Sequence, residues 1–488
     1  MGGVGLDARP DVVLILCDQL SPRFLGCCGA PWRTPNIDRI AAEGVLFREA
    51  TCPWPVCSPS RASLITGLYP HGHGICHNVM RRDYPAVPSR RGEEGIRSED
   101  VTTEKLLALS GYDTYHAGKW HLTDEDLWYY PEMFREHLEY GRQMSSYFAR
   151  VRERPPEGWM DWFGWVLPVE VRPEVRAAAR GRPLHAHLDK MGRLLMSPED
   201  LYDVQVADHV IRRLGERRDR PLMVTCSFNA PHPPHAAPAP YYGMVRPEDV
   251  PLPPAHLSAP DPRFQGDAAH RVASILGEAG VREFLRIYVA LILFVDEQVG
   301  RILAAVDRAR RTEDTIVVFT ADHGDMAGAH GMISKSTAAF YEDVVRVPLM
   351  IRYPARVRPG VSSVAASLVD VMPTLLELTG HPPQAQIHGR SLAGHVCGLT
   401  RDGPHYAFSE RLPSTGRRRR FVPEQGDFMV RGEGWKYVRY RDGGESLHHL
   451  REDPDESRNR IADPGAEEAL RRLRGTLAEW LLRTGGGP

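Results

Sequence analysis

Cys52-Pro53-Trp54-Pro55-Val56-Cys57-Ser58-Pro59-Ser60-Arg61-Ala62-Ser63-Leu64-Ile65-Thr66-Gly67 is the stretch from which the rest of the chain is read. It holds Cys-x-Pro-x-Arg, from Cys57 to Arg61, ahead of small and apolar residues that start a helix. Pro59 has no N–H to lose and a fixed φ, which suits the first turn of a helix. Cys57 then falls just before the helix N-terminus, where free backbone N–H groups and the macrodipole favour negative charge. Arg61 adds a fork of donors one turn later, on nearly the same face. The arrangement suits a nucleophile facing an anionic ester. A small buried apolar cysteine is the other reading of Cys57 taken alone.

The stretch resembles the sulfatase signature. In that family a separate formylglycine-generating enzyme oxidises the cysteine of Cys-x-Pro-x-Arg to formylglycine, an aldehyde whose hydrate is the nucleophile. Ser58, Pro59, Ser60 and Arg61, then Leu64-Ile65-Thr66-Gly67, follow the pattern. A motif this short needs its partners in order along the rest of the chain.

Upstream, residues 11–17 are a continuous apolar run behind Asp11, ending in Asp18-Gln19. Such a run reads as a strand buried on both faces, typical of a parallel sheet. The C-terminal ends of such strands hold ligands, and Asp18 and Gln19 both offer hard oxygen atoms for a cation. For an isolated Asp the plainer reading is a turn cap. Thr34-Pro35-Asn36 opens an amphipathic helix toward Gly44, and a strand near Val45-Leu46-Phe47 leads into the Cys57 loop. Downstream, His71, His73 and His77 crowd a glycine-rich loop, but their spacing matches no standard zinc site. Asn78 in that loop is read as a substrate contact. Residues 101–109 read as a helix and 112–117 as a strand, ending in Gly118-Lys119-Trp120-His121. In an extended segment Lys119 and His121 point to the same side. This resembles the Gly-Lys-x-His element of sulfatases.

Residues 221–228 make another buried strand, ending in Asn229-Ala230-Pro231-His232-Pro233-Pro234-His235. Proline flanks stiffen the loop and aim His232; Pro231 to Pro234 corresponds to the family's Pro-His-x-Pro element. His235 is left at the surface. Residues 284–308 read as a long amphipathic helix on the sheet, with Asp296 paired to a basic neighbour. Residues 315–320 form a strand ending in Ala321-Asp322-His323-Gly324-Asp325, a second set of metal-type ligands at a strand end. Lys335 follows as a second cation for the leaving-group side. Five matches in family order over residues 11–351 extend the resemblance across most of the chain.

Many sulfatases carry Asp-Asp and Asp-Asn at the two metal pairs, whereas this chain has Asp18-Gln19 and Asp322-His323. The variant resembles the branch containing choline sulfatases and phosphonate monoester hydrolases. That group of hydrolases replaces the residues matching Lys119 and His121 by neutral hydroxyl residues, and both are present here. The resemblance implies one divalent metal on Asp18, Gln19, Asp322, His323 and the modified Cys57. Ca²⁺ is the first choice, with Mn²⁺ or Mg²⁺ as rivals because an imidazole softens an oxygen-rich site. It implies further that Arg61 and Lys119 hold the ester's charge and that His232 and Lys335 protonate or stabilise the leaving alkoxide. His121 removes the proton whose loss releases sulfate and restores the aldehyde.

With 488 residues, 42% hydrophobic and 25% charged, the chain is long enough for one large core and a smaller unit. The division expected is a catalytic domain over residues 1–380 and a C-terminal subdomain over 381–488. Residues 124–200 break the regular alternation and read as an insertion over the site. It carries Trp128, Tyr129, Tyr130, Trp159, Trp162 and Trp165. The tryptophans spaced by three, Trp159, Trp162 and Trp165, read as one packed helical stripe, or some of the rings form a platform for a sugar or aryl group. Short strands near 406–409, 427–431, 436–441 and 447–450, then a helix over 467–482, give the antiparallel sheet plus helix that the family implies. Arg417 to Arg420 read as a solvated turn, or as a reach toward an anionic polymer.

The fold class is thus α/β: an alkaline-phosphatase-like, mixed but largely parallel sheet between helices. A net charge of −2 and no long apolar run speak against nucleic acid and membrane. Eight cysteines and no secretory signal at Met1 suggest reduced thiols in the cytoplasm, with a trimmed secreted chain the alternative. The expected activity is hydrolysis of a sulfate ester on a small molecule or oligosaccharide, in a protein free to form a homo-oligomer. Its rivals are a phosphonate monoester hydrolase or phosphodiesterase, and an inactive anion-binding homologue.

Overall fold

The apolar run at the N-terminus forms strand β1 (Asp11–Asp18), buried along its whole length. The computed structural model describes residues 9–79, 95–97, 99–123, 136–138, 160–162, 165–167, 169–180, 188, 190–257, 261–264, 267–336, 339–382, 384, 386–401, 403–413 and 421–485. Within these residues β1 is joined by β2 (Val45–Phe47), β3 (Asp113–Gly118), β4 (Glu136–Leu138), β5 (Leu222–Pro231), β6 (Thr315–Ala321), β7 (Leu349–Arg352) and β8 (Gly360–Ser362). The sheet order is β8-β2-β7-β6-β1-β5-β3-β4. Neighbours are parallel except at β7, which runs antiparallel to β6 and β2. Alkaline-phosphatase-like topology of this mixed kind is the expected class.

Four parallel neighbours, β6, β1, β5 and β3, therefore end at one edge of the sheet. The residues just past those ends are Asp322 and His323, Gln19, His232, and Lys119 to His121. Parallel sheets present ligand sites at this edge because the connections leave a crevice there. Gly118 closes β3 onto β5: it sits at φ 107, and a Cβ would come within 1.9 Å of the Ser227 carbonyl oxygen. No other residue type fits so close a backbone approach.

Helices cover both faces. Helix α1 (Pro35–Glu43) starts where expected, and helix α2 (Cys57–Thr66) is buried at every residue and stops at Gly67, φ 68. The long helix α3 (Ala268–Arg308) begins well before the expected residue 284, with a break at Gly277, φ 61. Asp296, on α3, has no basic partner among the described residues. Its carboxylate instead accepts the N–H groups of Asn36 (3.1 Å) and Ile37 (2.8 Å) at the start of α1. His235 is not at the surface either; it is buried edge-on against Phe284, ring centroids 4.7 Å apart.

In the insertion, Met160–Trp162 and Trp165–Leu167 are antiparallel strands with Trp162 opposite Trp165, which overturns the helical stripe. Aromatic residues favour a pleated strand, and a two-residue gap between two such runs is hairpin spacing. Trp128, Tyr129, Tyr130, Trp159 and Arg417 to Arg420 lie outside the described residues. The C-terminal part forms an antiparallel sheet of β9 (Tyr406–Arg411), β10 (Asp427–Gly432), β11 (Trp435–Arg439) and β12 (Glu445–His449), covered by helix α4 (Glu467–Thr484). Its core contains Trp480, Phe428 and Leu447, and also Trp54 and Val56 from just before α2. No helix among the described residues is long and apolar enough to cross a membrane.

Candidate active site

Cys57 is the first residue of α2, with Val56 as N-cap, one step further into the helix than expected. Its sulfur lies 3.0 Å from Lys335 Nζ, 3.4 Å from His323 Nε2 and 3.8 Å from Asp18 Oδ1. Asp18 ends β1, and Asp322 follows β6 on the adjacent parallel strand. Ligand atoms of Asp18, Cys57, Asp322 and His323 all fall within 4.8 Å of one another, and all four residues are buried. Among the described residues this is the single cluster of its kind. His71 is instead paired with Glu410 at 2.8 Å, and His73 with the Ser63 hydroxyl at 3.0 Å.

Arg61 reaches this cluster from one turn down α2. Its Nε donates to Asp322 Oδ2 at 2.8 Å, and Nη2 to Asp18 Oδ2 at 3.2 Å. Its Nη1 donates to the Lys119 carbonyl and to Ser227 Oγ, both at 2.8 Å. Four of its five N–H groups are thus spent inside the protein. Arg61 is a strut between the two carboxylates rather than the expected holder of ester charge. Lys119 is ion-paired to Asp18. Lys335 has no carboxylate partner among the described residues, and is the cation left to meet a ligand.

The electrostatics follow from this packing. Burial alone would push the Cys57 thiol up, but Lys119, Lys335, His323 and His121 outweigh it and hold it well below the ordinary thiol range. Burial and Cys57 push the Asp18 carboxyl up as well; Lys119, His232 and Arg61 together hold it below the carboxylate range. Burial, aided by Lys119, lowers His121. Burial also lowers His232, with Asp18 opposing and Lys119 and Lys335 adding to it. Both imidazoles are therefore neutral at neutral pH.

The donor set fits a divalent cation. His323 donates Nδ1–H to the Gly324 carbonyl at 2.8 Å, which turns Nε2 toward the cluster, 3.4 Å from the Cys57 sulfur. Asp18 and Asp322 supply charge. Gln19, at φ 63, has a buried Oε1 without a partner among the described residues. Orphaned buried acceptors of this kind are what a cation satisfies.

Around position 57 the remaining expected residues converge. His232 donates Nδ1–H to the Pro233 carbonyl at 2.8 Å, and its Nε2 lies 3.4 Å from Lys335 Nζ. His121, at φ 60, interacts with the Cys57 sulfur, and its carbonyl accepts from the Ser58 hydroxyl at 2.6 Å. Asn78 Oδ1 accepts the Ser58 N–H at 3.1 Å, which holds it beside the start of α2. Sequence reading missed Ser227, which anchors Arg61, and gave no role to Asp325 or Ser334, which accept from Gln19 Nε2. Asp325 stood in plain view in Asp322-His323-Gly324-Asp325; Ser227 carries no local signal.

Comparison with known proteins fits this geometry. The family model described as Sulfatase matches residues 10–381, and one described as N-sulphoglucosamine sulphohydrolase, C-terminal, matches 328–482. The chain is 27% identical over 516 residues to a multifunctional alkaline phosphatase superfamily protein of Trinickia caryophylli, covering 97% of this chain and 95% of that protein. Its fold resembles the phosphonate monoester hydrolase of Agrobacterium radiobacter (TM-score 0.72, 24% identity, 98% and 96% of the two chains). It also resembles a protein solved with its substrate D-glucosamine-2-N,6-O-disulfate (TM-score 0.73, 20% identity, 98% of both chains). The expected α/β class and the sulfatase resemblance both hold. Formylglycine and a divalent metal are general to the family, and the chain has a buried cluster of Asp18, Cys57, Asp322 and His323 that could hold a metal ion. A match running from residue 10 to 381, with the signature cysteine seated in that cluster, makes this chain a member of the sulfatase family and a sulfuric ester hydrolase.

Proposed function

We propose that the chain hydrolyses sulfate esters of carbohydrates by S–O cleavage, with position 57 as formylglycine and Ca²⁺ as the metal. One observation carries the reading. Lys335, a cation without a carboxylate partner among the described residues, stands 3.0 Å from the position-57 sulfur, with His232 Nε2 3.4 Å behind it. The sulfur marks where the nucleophilic oxygen of the hydrated aldehyde stands. Calcium is supported by a mostly oxygen donor set; His323 keeps Mn²⁺ as the rival. The carbohydrate is supported by the disulfated glucosamine of the fold neighbour and by the aromatic-rich sequence of residues 124–200. Eight free cysteines support the cytoplasmic location, which remains part of the proposal.

A divalent ion held by Asp18, Gln19, Asp322 and His323 would supply polarisation of a sulfate oxygen and of the oxygen at position 57. The chain's own groups do the rest. Arg61 fixes both carboxylates. Lys119 and Lys335 face the charge that develops on the ester, in a site where burial magnifies their effect. Lys335 Nζ gives a proton to the departing oxygen, and His232 Nε2, an acceptor at rest, steadies the ammonium. His121, neutral because buried, takes the proton from position 57 that resets the site.

The test is co-expression with a formylglycine-generating enzyme, mass measurement of the position-57 peptide, and turnover of sulfated sugars against phenyl phosphonate esters. A larger kcat/KM on sulfate is expected. Faster phosphonate hydrolysis would favour the rival reading suggested by the Agrobacterium fold neighbour. A modified peptide with no turnover of either would mean an anion-binding protein.

A further inference from the structure

Gln19 is held more tightly than any ligand needs to be. Its backbone N–H donates to Asp322 Oδ1 at 3.0 Å, and its carbonyl accepts from the Tyr288 hydroxyl at 2.6 Å. The side-chain amide is pinned as well: Nε2 donates to Asp325 Oδ2 at 2.6 Å and to Ser334 Oγ at 3.2 Å. The second Asp325 oxygen is already taken by the N–H of Ala327, at 2.7 Å. Asp325 is fully buried, and both its oxygens accept. An amide facing such a group must turn its NH2 toward it, so the network itself decides which end is oxygen. What remains is Oε1, buried and without a partner among the described residues.

We infer that Asp325, helped by Ser334, is a positioning residue that fixes Gln19 as a neutral oxygen ligand of the metal. Asp325 is outside the group of carboxylate, thiol and imidazole atoms that lie within 4.8 Å of one another, and its two oxygens accept from Gln19 and Ala327 instead. Its work is to forbid the flipped amide, which would aim two N–H hydrogens at a positive ion. Asp18 and Asp322 then remain the charged ligands, and Gln19 adds an oxygen without a third charge. The inference rests on the metal-dependent reading of the site.

The experiment titrates Ca²⁺ and Mn²⁺ calorimetrically into the full-length, EDTA-stripped protein. Wild type comes first: if it binds neither ion, the metal reading itself fails and this inference falls with it. Given binding by wild type, Asp325→Asn should weaken it by about 10–100-fold, as loss of groups that orient a ligand commonly does. The substituted side chain can present an NH2 of its own, so the Gln19 amide is free to turn.

A double-mutant cycle separates positioning from simple damage. In the Asp325→Asn background, Gln19→Glu restores the pairing: one Glu oxygen accepts from the introduced amide while the other faces the metal. Gln19→Glu should therefore recover binding only in the Asp325→Asn background. In the wild-type background it sets two carboxylates against each other and brings no such gain. Binding by Asp325→Asn within twofold of wild type, or an equal effect of Gln19→Glu in both backgrounds, would overturn the inference. Should Asp325→Asn fail to fold, Ser334→Ala removes only the second acceptor. It should weaken binding by about threefold, and unchanged affinity there would also overturn the inference.

Discussion

Lys335 and His232 differ in which of them owns a proton at rest. His232 spends Nδ1–H on the Pro233 carbonyl, so its Nε2 can only accept, and Lys335 is the donor facing it. General-acid help matters most for poor leaving groups, because a nitrophenolate departs unaided. Lys335→Ala should slow an alkyl or sugar sulfate by ~10²–10⁴-fold and nitrophenyl sulfate far less. His232→Ala should act in the same direction but more weakly. Steady-state kinetics on both substrates decide it; equal losses would mean that neither residue serves the leaving group. Arg61 offers a second test at this scale. A lysine is a single point charge and cannot span Asp18, Asp322, Ser227 and the Lys119 carbonyl at once. Arg61→Lys should cost about 3–5 kcal/mol in denaturant unfolding, since it leaves buried charge unpaired. A loss under about 1 kcal/mol would show that the strut is dispensable. Cys57, Arg61, Asp18 and Asp322 were legible because each lies in a short motif or at the end of an apolar run. Ser227 and Ser334 were not, because their partners are 166 and 315 residues away along the chain.

At the scale of elements, continuous apolar runs located β1, β5 and β6, because strands buried on both faces need no alternation to be read. The start of α3 was harder. Gly277 and Gly280 look like a loop, yet Gly277 merely breaks a helix that continues on both sides. Asp296 shows the limit of guessing partners by charge: it serves backbone N–H groups, not a base. The first N–H groups of a helix have no intrahelical acceptor, and Thr34 gives α1 no side-chain cap. Asp296 does that work from another helix, with Asn36 Nδ2 donating to it at 2.9 Å. Its negative charge also opposes the positive end of the α1 dipole. Asp296→Ala should therefore destabilise the protein by ~1–2 kcal/mol, the range for a lost cap. Hydrogen exchange should be fastest to rise in the first turn of α1. Unchanged protection there would mean that water replaces the carboxylate at no cost.

In the whole molecule the C-terminal sheet does more than cover a flank, because it reaches the segment that follows Lys335. Lys436 on β11 is buried, with Nζ donating to the Phe340 carbonyl at 2.6 Å and pairing with Glu342 at 3.3 Å and Glu456 at 2.5 Å. Arg431 on β10 also pairs with Glu342, at 3.1 Å. None of these partners could be read from local sequence, where Lys436 stands as an ordinary strand residue. The two carboxylates are affected in opposite ways. Burial pushes Glu342 up, but Arg431 and Lys436 outweigh it and hold its carboxyl low. Burial raises Glu456, Glu342 adds to the rise, and Lys436 only partly offsets it. A raised carboxyl binds its proton more tightly folded than unfolded, so its contribution is present at low pH and is lost as pH rises through the folded value. Removing Lys436 raises Glu456 further and steepens that loss. Lys436→Met should therefore cost little near pH ~5, where Glu456 is protonated, and about 3–5 kcal/mol near pH ~8.5, where an unpaired buried carboxylate must form or stay protonated at a cost. Denaturant unfolding at both pH values measures the difference. Adding Glu456→Gln should flatten the slope, because Arg431 still neutralises Glu342. A deficit that is equal at both pH values, or a slope that survives Glu456→Gln, would show that the junction is held by something other than this charge network.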